Sequence, residues 1–195
     1  QALHLRVVVG AQRVLVGCAA HHLHVLLRGG LLDCSAEGFA KAMDVSCHSF
    51  VRMARLAAPL MKDGGTMFAM SYYGANRVVP NYNVMGVAKA ALEASVRYLA
   101  SDYGPQQIRV NAISAGPMRT LAGAGIADSR AMYNYQQRNA PLRRTVTIDE
   151  VGDSGFYLLS DLGRGVTGEI LHVDAGYHIV GMKNPDAPDI TVNGS

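Results

Sequence analysis

From Ser35 the chain sets apolar residues at helical spacing, Phe39, Met43, Phe50, Met53, Ala57 and Leu60, until Asp63-Gly64-Gly65 breaks the run. Such a stripe predicts a long amphipathic helix, and Ser35 is of the type that caps a helix start. Thr66 to Ser71 is a short apolar run and a predicted strand, feeding a polar loop that carries Tyr72 and Tyr73. A second helix is predicted from about Tyr82 through Val87, Ala91, Leu92, Val96 and Leu99 to Gly104-Pro105, where Gly supplies the cap and Pro stops continuation. Ile108 to Ile113 reads as a buried strand that opens into the turn Ser114-Ala-Gly-Pro117. Residues 119 to 138 combine small residues with a short helix, and a segment of that kind at a strand's carboxyl end suits a mobile lid. Thr147-Ile-Asp-Glu150 spells a capping box ahead of a helix reaching about Asp161. Ile170 to Val173 is the last predicted strand, and the tail from Lys183, with Pro185 and Pro188, is expected to be extended or loose.

The amino-terminal stretch has a different texture. Residues 3 to 9 and 14 to 18 are short runs rich in Val and Leu, consistent with buried strands but inseparable from buried helix at that length. Residues 1 to 32 contain no Asp or Glu and four of the seven histidines. The expected organisation is a divergent segment 1–33, a main body 34–182 and a loose tail 183–195. Within the body, helices alternate with short apolar strands. That order predicts an α/β fold, a Rossmann-like doubly wound parallel sheet with helices on both faces.

Composition narrows the function classes. The 195 residues are enough for one domain with a buried core. A net charge of +3 argues for neither a nucleic-acid binder nor a membrane-surface protein. Cys18, Cys34 and Cys47 are odd in number and form no CxxC pair, so a reducing, cytoplasmic setting is expected. The uncharged run Val14 to Leu27 is too short to span a bilayer and lacks a signal-peptide cleavage pattern. Cys18 with His21, His22 and His24 has donor atoms at short spacing but not the ordered four-ligand spacing of a zinc site, so no metal is expected.

The candidate chemistry lies at Tyr82 and Lys89. A spacing of seven residues is two helical turns, which puts a phenol and an ammonium on one face. A phenol with pKa about 10 is a poor acid at neutral pH, but a fixed cation nearby favours its ionised form and makes it a usable proton donor. The same spacing also arises on amphipathic helices without catalytic meaning. A second tyrosine, Tyr72, stands ten residues upstream at the end of the predicted strand. By spacing alone, Gly116-Pro117 is an ordinary turn.

Four runs occur in order: Asn81-Tyr-Asn-Val-Met-Gly86, Arg109-Val-Asn-Ala-Ile-Ser-Ala-Gly-Pro117, Arg119-Thr-Leu121 and Arg143-Arg-Thr-Val-Thr147. With these, the stretch from about Cys34 to Asp189 resembles the NADH-type enoyl-acyl carrier protein reductases of the short-chain dehydrogenase/reductase superfamily. Most of that superfamily places Lys four residues after Tyr. Here position 86 is Gly and position 85 is Met, so only the seven-residue spacing fits, as in the enoyl reductases.

The resemblance implies hydride transfer from NADH, with NADPH not excluded, to a trans-2-enoyl thioester during fatty acid biosynthesis. It implies that Tyr82 hydrogen-bonds the thioester carbonyl, that Lys89 holds the nicotinamide ribose, and that Tyr72 lines the substrate pocket beside a packing Tyr73. Gly116, Pro117, Met118, Arg119, Thr120, Leu121 and Ala122 would wrap the cofactor. Ile126, Met132 and Tyr133 would face the acyl chain, with core packing as the other reading of Met132. Arg119, Arg130, Arg138, Arg143 and Arg144 are candidates to meet an acidic carrier protein, with scattered surface charge as their other reading. The implied assembly is a homotetramer, with no nucleic-acid or membrane partner.

The chain departs from that family at its start. Gly10 and Gly17 follow Val-rich runs but lack the family's Ser-Ile, and 34 residues cannot thread the strands and glycine turn that an adenosine site requires. The expectation is therefore an incomplete set of N-terminal strands, with exposed apolar faces. It carries an alternative function: a catalytically silent truncated paralogue that associates with intact subunits. A ketone or alcohol reductase of the same superfamily is disfavoured by the seven-residue spacing.

Overall fold

The computed structural model describes residues 6–10, 13–17, 29–118 and 129–187. Two strands open it, β1 (Arg6–Gly10) and β2 (Arg13–Gly17), paired antiparallel with Arg6 opposite Gly17 and Gly10 opposite Arg13. A parallel pairing is ruled out by the connection: two residues close a hairpin, whereas a parallel crossover needs a dozen or more. The two runs are thus strands, as one reading of their sequence had it, but they form no βαβ unit. β2 lies alongside β3 without hydrogen-bonding to it.

The central sheet is parallel, in the order β3 (Gly65–Ser71), β4 (Ile108–Ala115) and β5 (Ile170–Val173). Gly65 is in register with Ile108 and Ser71 with Ser114, while Ala112 pairs with Ile170 and Ala115 with Val173. Side chains alternate across it. Met67, Ala69, Ile108, Val110 and Ala112 pack against α2 (Ser49–Ala57) and α3 (Asn83–Tyr103), and Ile113 and Ala115 pack with Val151 and Leu158 of α5 (Ile148–Leu159). A parallel sheet covered by helices on both faces is a Rossmann-like α/β arrangement. Met67 and Val110 are fully buried, and truncating such a side chain to Ala costs about 2–5 kcal/mol for Met.

The helix expected from Ser35 is interrupted. Ser35 does cap α1 (Ala36–Met43), its hydroxyl accepting from the Gly38 N–H at 3.0 Å, but a π-helical turn, Asp44–His48, separates α1 from α2. The stripe is rotated by the wider turn. Phe50, Met53 and Ala57 reach the core, whereas Phe39 and Leu60 are left exposed. α3 ends as predicted near Gly104, yet Gly104 has right-handed φ −53°; the left-handed residue is Gln107, at φ 59° after one 3-10 turn. Thr147 and Glu150 form the predicted capping box, and the short helix expected in 119–138 is α4 (Ser129–Asn139). Among the described residues, no helix is long and apolar enough to cross a membrane.

Asn111 is a buried polar residue that the sequence reading passed over. It is fully buried in β4, donating from Nδ2 to the Val166 carbonyl at 3.0 Å and accepting from the Glu169 N–H at 3.0 Å. Those bonds tie β4 to the segment entering β5 and satisfy an amide that would otherwise be costly to bury.

Candidate active site

The carboxyl ends of parallel strands are where open α/β sheets receive ligands. Tyr72 is the first residue beyond β3 and is still extended, at φ −152° and ψ 151°. The chain then turns through a 3-10 segment, Tyr73–Ala75, and reaches Asn81, whose φ of 62° is one that Asn tolerates better than most side chains. Tyr82 follows at the cap position of α3, its N–H donating to the Val79 carbonyl at 3.0 Å. The two phenol rings meet edge to face with centroids 4.9 Å apart. Lys89, two turns into α3, donates from Nζ to the Met70 carbonyl at 2.7 Å, which fixes the ammonium beside the end of β3.

Burial controls the two phenols. Tyr72 is pushed up from 10.0 to about 12, chiefly by desolvation, against a hydrogen bond from Gln136 and with a smaller upward push from Tyr73. Tyr82 is raised further, by desolvation and then by the neighbouring Tyr72. This runs against the expectation that a nearby cation would favour the ionised phenol: loss of water and the neighbouring Tyr72 set the direction, while the Lys89 ammonium donates to a backbone carbonyl. Both hydroxyls remain protonated at neutral pH and can act as hydrogen-bond donors to a developing negative charge.

A second aromatic group flanks this pair. Tyr73 packs edge-on against Tyr177 at 5.2 Å, in keeping with its expected packing role, and Tyr177 meets Tyr135 of α4 at 6.5 Å. Tyr177, Tyr135 and Gln136 did not stand out in the sequence. The only available signal was an aromatic residue directly after the Ala175-Gly176 turn. That turn is held by Asp174, a buried carboxylate accepting from the N–H groups of Gly176 at 3.0 Å and His178 at 2.8 Å, while Ala175 takes φ 58° and Gly176 φ 84°.

Gly116 leaves β4 with its N–H on the Val173 carbonyl at 2.8 Å, and a Cβ there would stand 2.9 Å from the Asp174 Cα, so the two strand ends meet over bare backbone. Pro117 and Met118 are half-buried beyond it. Arg119, Thr120, Leu121, Ala122 and Ile126 lie outside the described residues. Met132 and Tyr133 are half-buried on α4, the Tyr133 hydroxyl accepting from Thr145 at 2.6 Å. Arg138 and Arg143 are exposed, whereas Arg144 is engaged in a two-pronged pair with Glu150 at 2.8 and 2.5 Å, which ties it to the cap of α5.

An ammonium and a stretch of backbone at strand ends suit the hydroxyl and phosphate groups at the nicotinamide end of a dinucleotide. The described amino-terminal residues do not suit the adenosine end, since β1 and β2 form a hairpin rather than a strand, glycine turn and helix.

A Rossmann-like sheet with a Tyr–Lys helix at its carboxyl edge defines the reductase class to which known proteins can be compared. Residues 4–178 match the family model described as enoyl-(acyl carrier protein) reductase. The enoyl-[acyl-carrier-protein] reductase [NADH] 2 of Rhizobium meliloti is 63% identical over 161 residues, covering 83% of this chain and 60% of that protein. The corresponding reductase 1 of the same organism is 61% identical over 166 residues, covering 85% and 61%. A crystal structure of the Anaplasma phagocytophilum enoyl-(acyl-carrier-protein) reductase in complex with NAD superposes with a TM-score of 0.83 at 53% identity, covering 91% of this chain and 65% of that one. The Bacillus cereus reductase with NADP+ and indole naphthyridinone gives 0.83 at 50% identity, covering 88% and 66%. The chain belongs to the enoyl-(acyl carrier protein) reductase family. It spans about 60% of the length of these two curated relatives.

Proposed function

We propose that the chain carries the site of an enoyl-acyl carrier protein reductase, which reduces the double bond of a trans-2-enoyl thioester in fatty acid biosynthesis. The observation that carries the reading is the pair of partly buried phenols, Tyr72 and Tyr82, edge to face at 4.9 Å, at the strand end that the Lys89 ammonium grips through the Met70 carbonyl. NADH, when bound, supplies the hydride, with NADPH as the other candidate. As the β-carbon accepts hydride, charge develops on the thioester oxygen, and Tyr82 stabilises it by donating its hydroxyl hydrogen. Lys89 holds the ribose hydroxyls and adds positive charge to the site. Tyr72 orients the enoyl group from the facing side, and Gly116, Pro117 and Met118 would offer backbone groups to the cofactor where they leave β4.

The same reading takes residues 34–182 as the reductase body and 183–195 as a tail. It gives the enzyme an acyl carrier protein partner, a cytoplasmic setting and a homotetrameric assembly. The packing of Tyr82 against Tyr72 and the hold of Lys89 on the end of β3 favour turnover over the silent-paralogue alternative. The test follows oxidation of NADH by the purified chain with a trans-2-enoyl thioester and, separately, with a β-ketoacyl thioester. Consumption with the enoyl substrate alone supports the proposal. Consumption with the ketoacyl substrate alone would move the chain to another branch of the superfamily, and saturable cofactor binding without turnover would return it to the silent alternative.

A further inference from the structure

Glu93 is a carboxylate on α3 that is only 4% exposed. Both of its oxygens are engaged: Oε1 accepts from the Ser71 hydroxyl at 2.5 Å and Oε2 accepts from Asn76 Nδ2 at 3.1 Å. Ser71 is the last residue of β3 and Asn76 the first after the 3-10 turn, so one carboxylate grips both ends of the segment carrying Tyr72 and Tyr73. Glu93 also lies one helical turn beyond Lys89, which holds the carbonyl of Met70, the residue before Ser71. α3 therefore fixes consecutive residues of the strand end with two side chains on one face.

A buried carboxylate is expensive unless its oxygens are satisfied, and an apolar side chain would fill the same space without that cost. What the carboxylate adds is geometry, since it takes two donors at a set separation on opposite sides of the tyrosine turn. We infer that Glu93 is a positioning residue that sets the placement of Tyr72 against Tyr82 through Ser71 and Asn76. This rests on the reduction proposed above, because misplacement by about 1 Å at a reacting site costs on the order of 100-fold in rate. Both Glu93 oxygens are taken up by Ser71 and Asn76, so its removal is expected to act through the placement of Tyr72, on rate rather than on binding.

The test compares Glu93→Gln, Asn76→Ala and the double variant with the unaltered full chain. Asn76 is exposed, so its truncation removes no core side chain and breaks the same linkage from the solvent side, giving a second variant should Glu93→Gln fail to fold. Two readouts are taken: amide hydrogen exchange across residues 72–76, and kcat and KM for the enoyl thioester. In each single variant, exchange in 72–76 is expected to accelerate by about tenfold while β4 is unchanged, and kcat to fall by about tenfold or more with KM within about threefold. The double variant is expected to be no worse than Glu93→Gln alone, because both changes break one linkage. Unchanged exchange in 72–76, a change confined to KM, or additive losses would overturn the inference. If the unaltered chain reduces no enoyl thioester, the proposed reaction fails, and the exchange readout still decides whether Glu93 holds the tyrosine turn.

Discussion

The carbonyl oxygen of Gly74 lies 2.8 Å from where a Cβ on Gly86 would stand, so the turn after β3 rests on the bare backbone of α3. Gly74 is itself pressed against the Tyr82 ring, where a Cβ would overlap it. The contact explains the cation's position: position 86 has no room for a side chain, and the lysine stands at 89, one turn further on, where its ammonium reaches the Met70 carbonyl.

Gly86→Ala is therefore expected to destabilise. In an exposed helix interior, replacing Gly by Ala gains about 1 kcal/mol, but forcing a methyl against a backbone carbonyl costs about 1–3 kcal/mol. Denaturant unfolding should show a lower midpoint at unchanged slope. A raised midpoint would mean that the turn does not rest on the helix.

Alkaline stability should report the two desolvated phenols. Tyr72 is raised from 10.0 to about 12 in the folded state, so its neutral form is favoured by folding. That contribution is complete below about pH 10 and is lost as pH rises from about 10 through about 12, because the unfolded chain releases the proton first. Tyr82 acts in the same direction. Tyr72→Phe is expected to flatten the fall in unfolding free energy over this window; an unchanged slope would contradict the assigned burial.

Acid stability should report the Arg144–Glu150 pair. The hydrogen bond from Arg144, then that from the Thr147 backbone, lowers the Glu150 carboxyl from 4.5 to about 2. A carboxyl held low in the folded state stabilises above its unfolded value and loses that contribution as pH falls from about 4.5 through about 2. Both groups are solvent-exposed, so the effect is small and weakened by salt. Glu150→Gln should shift the acid unfolding midpoint upward in low salt and less so in high salt; equal shifts in both would contradict the ion pair.

Local signals were the legible ones. Strand Ile170–Val173 was read end for end, the Thr147–Glu150 box was recognised from its spelling, and the Tyr82–Lys89 face followed from helical spacing. What escaped depended on tertiary context. Glu93 reads in sequence as one more solvated helix residue, and only packing of α3 against β3 shows it buried. The π turn after Met43 has no spelling of its own, and it puts the buried face of α1 out of step with that of α2, leaving Phe39 exposed; Leu60 falls in a separate 3-10 turn, Ala58–Leu60. Spacing set Tyr82 and Lys89 two turns apart along α3, yet the direction of the phenol's shift depends on desolvation, which spacing does not reveal.

Replacement of Tyr82 by Phe tests the central assignment most directly, since it removes one hydroxyl and leaves the ring that packs on Tyr72 and Gly74. The measurement is kcat for NADH-driven reduction of a trans-2-enoyl thioester, beside the melting temperature and the affinity for NADH. With Tyr82 as the donor to the developing charge, kcat is expected to fall by about 100- to 1,000-fold while folding and cofactor affinity are retained. Undiminished kcat in a folded Tyr82→Phe chain would contradict the assignment.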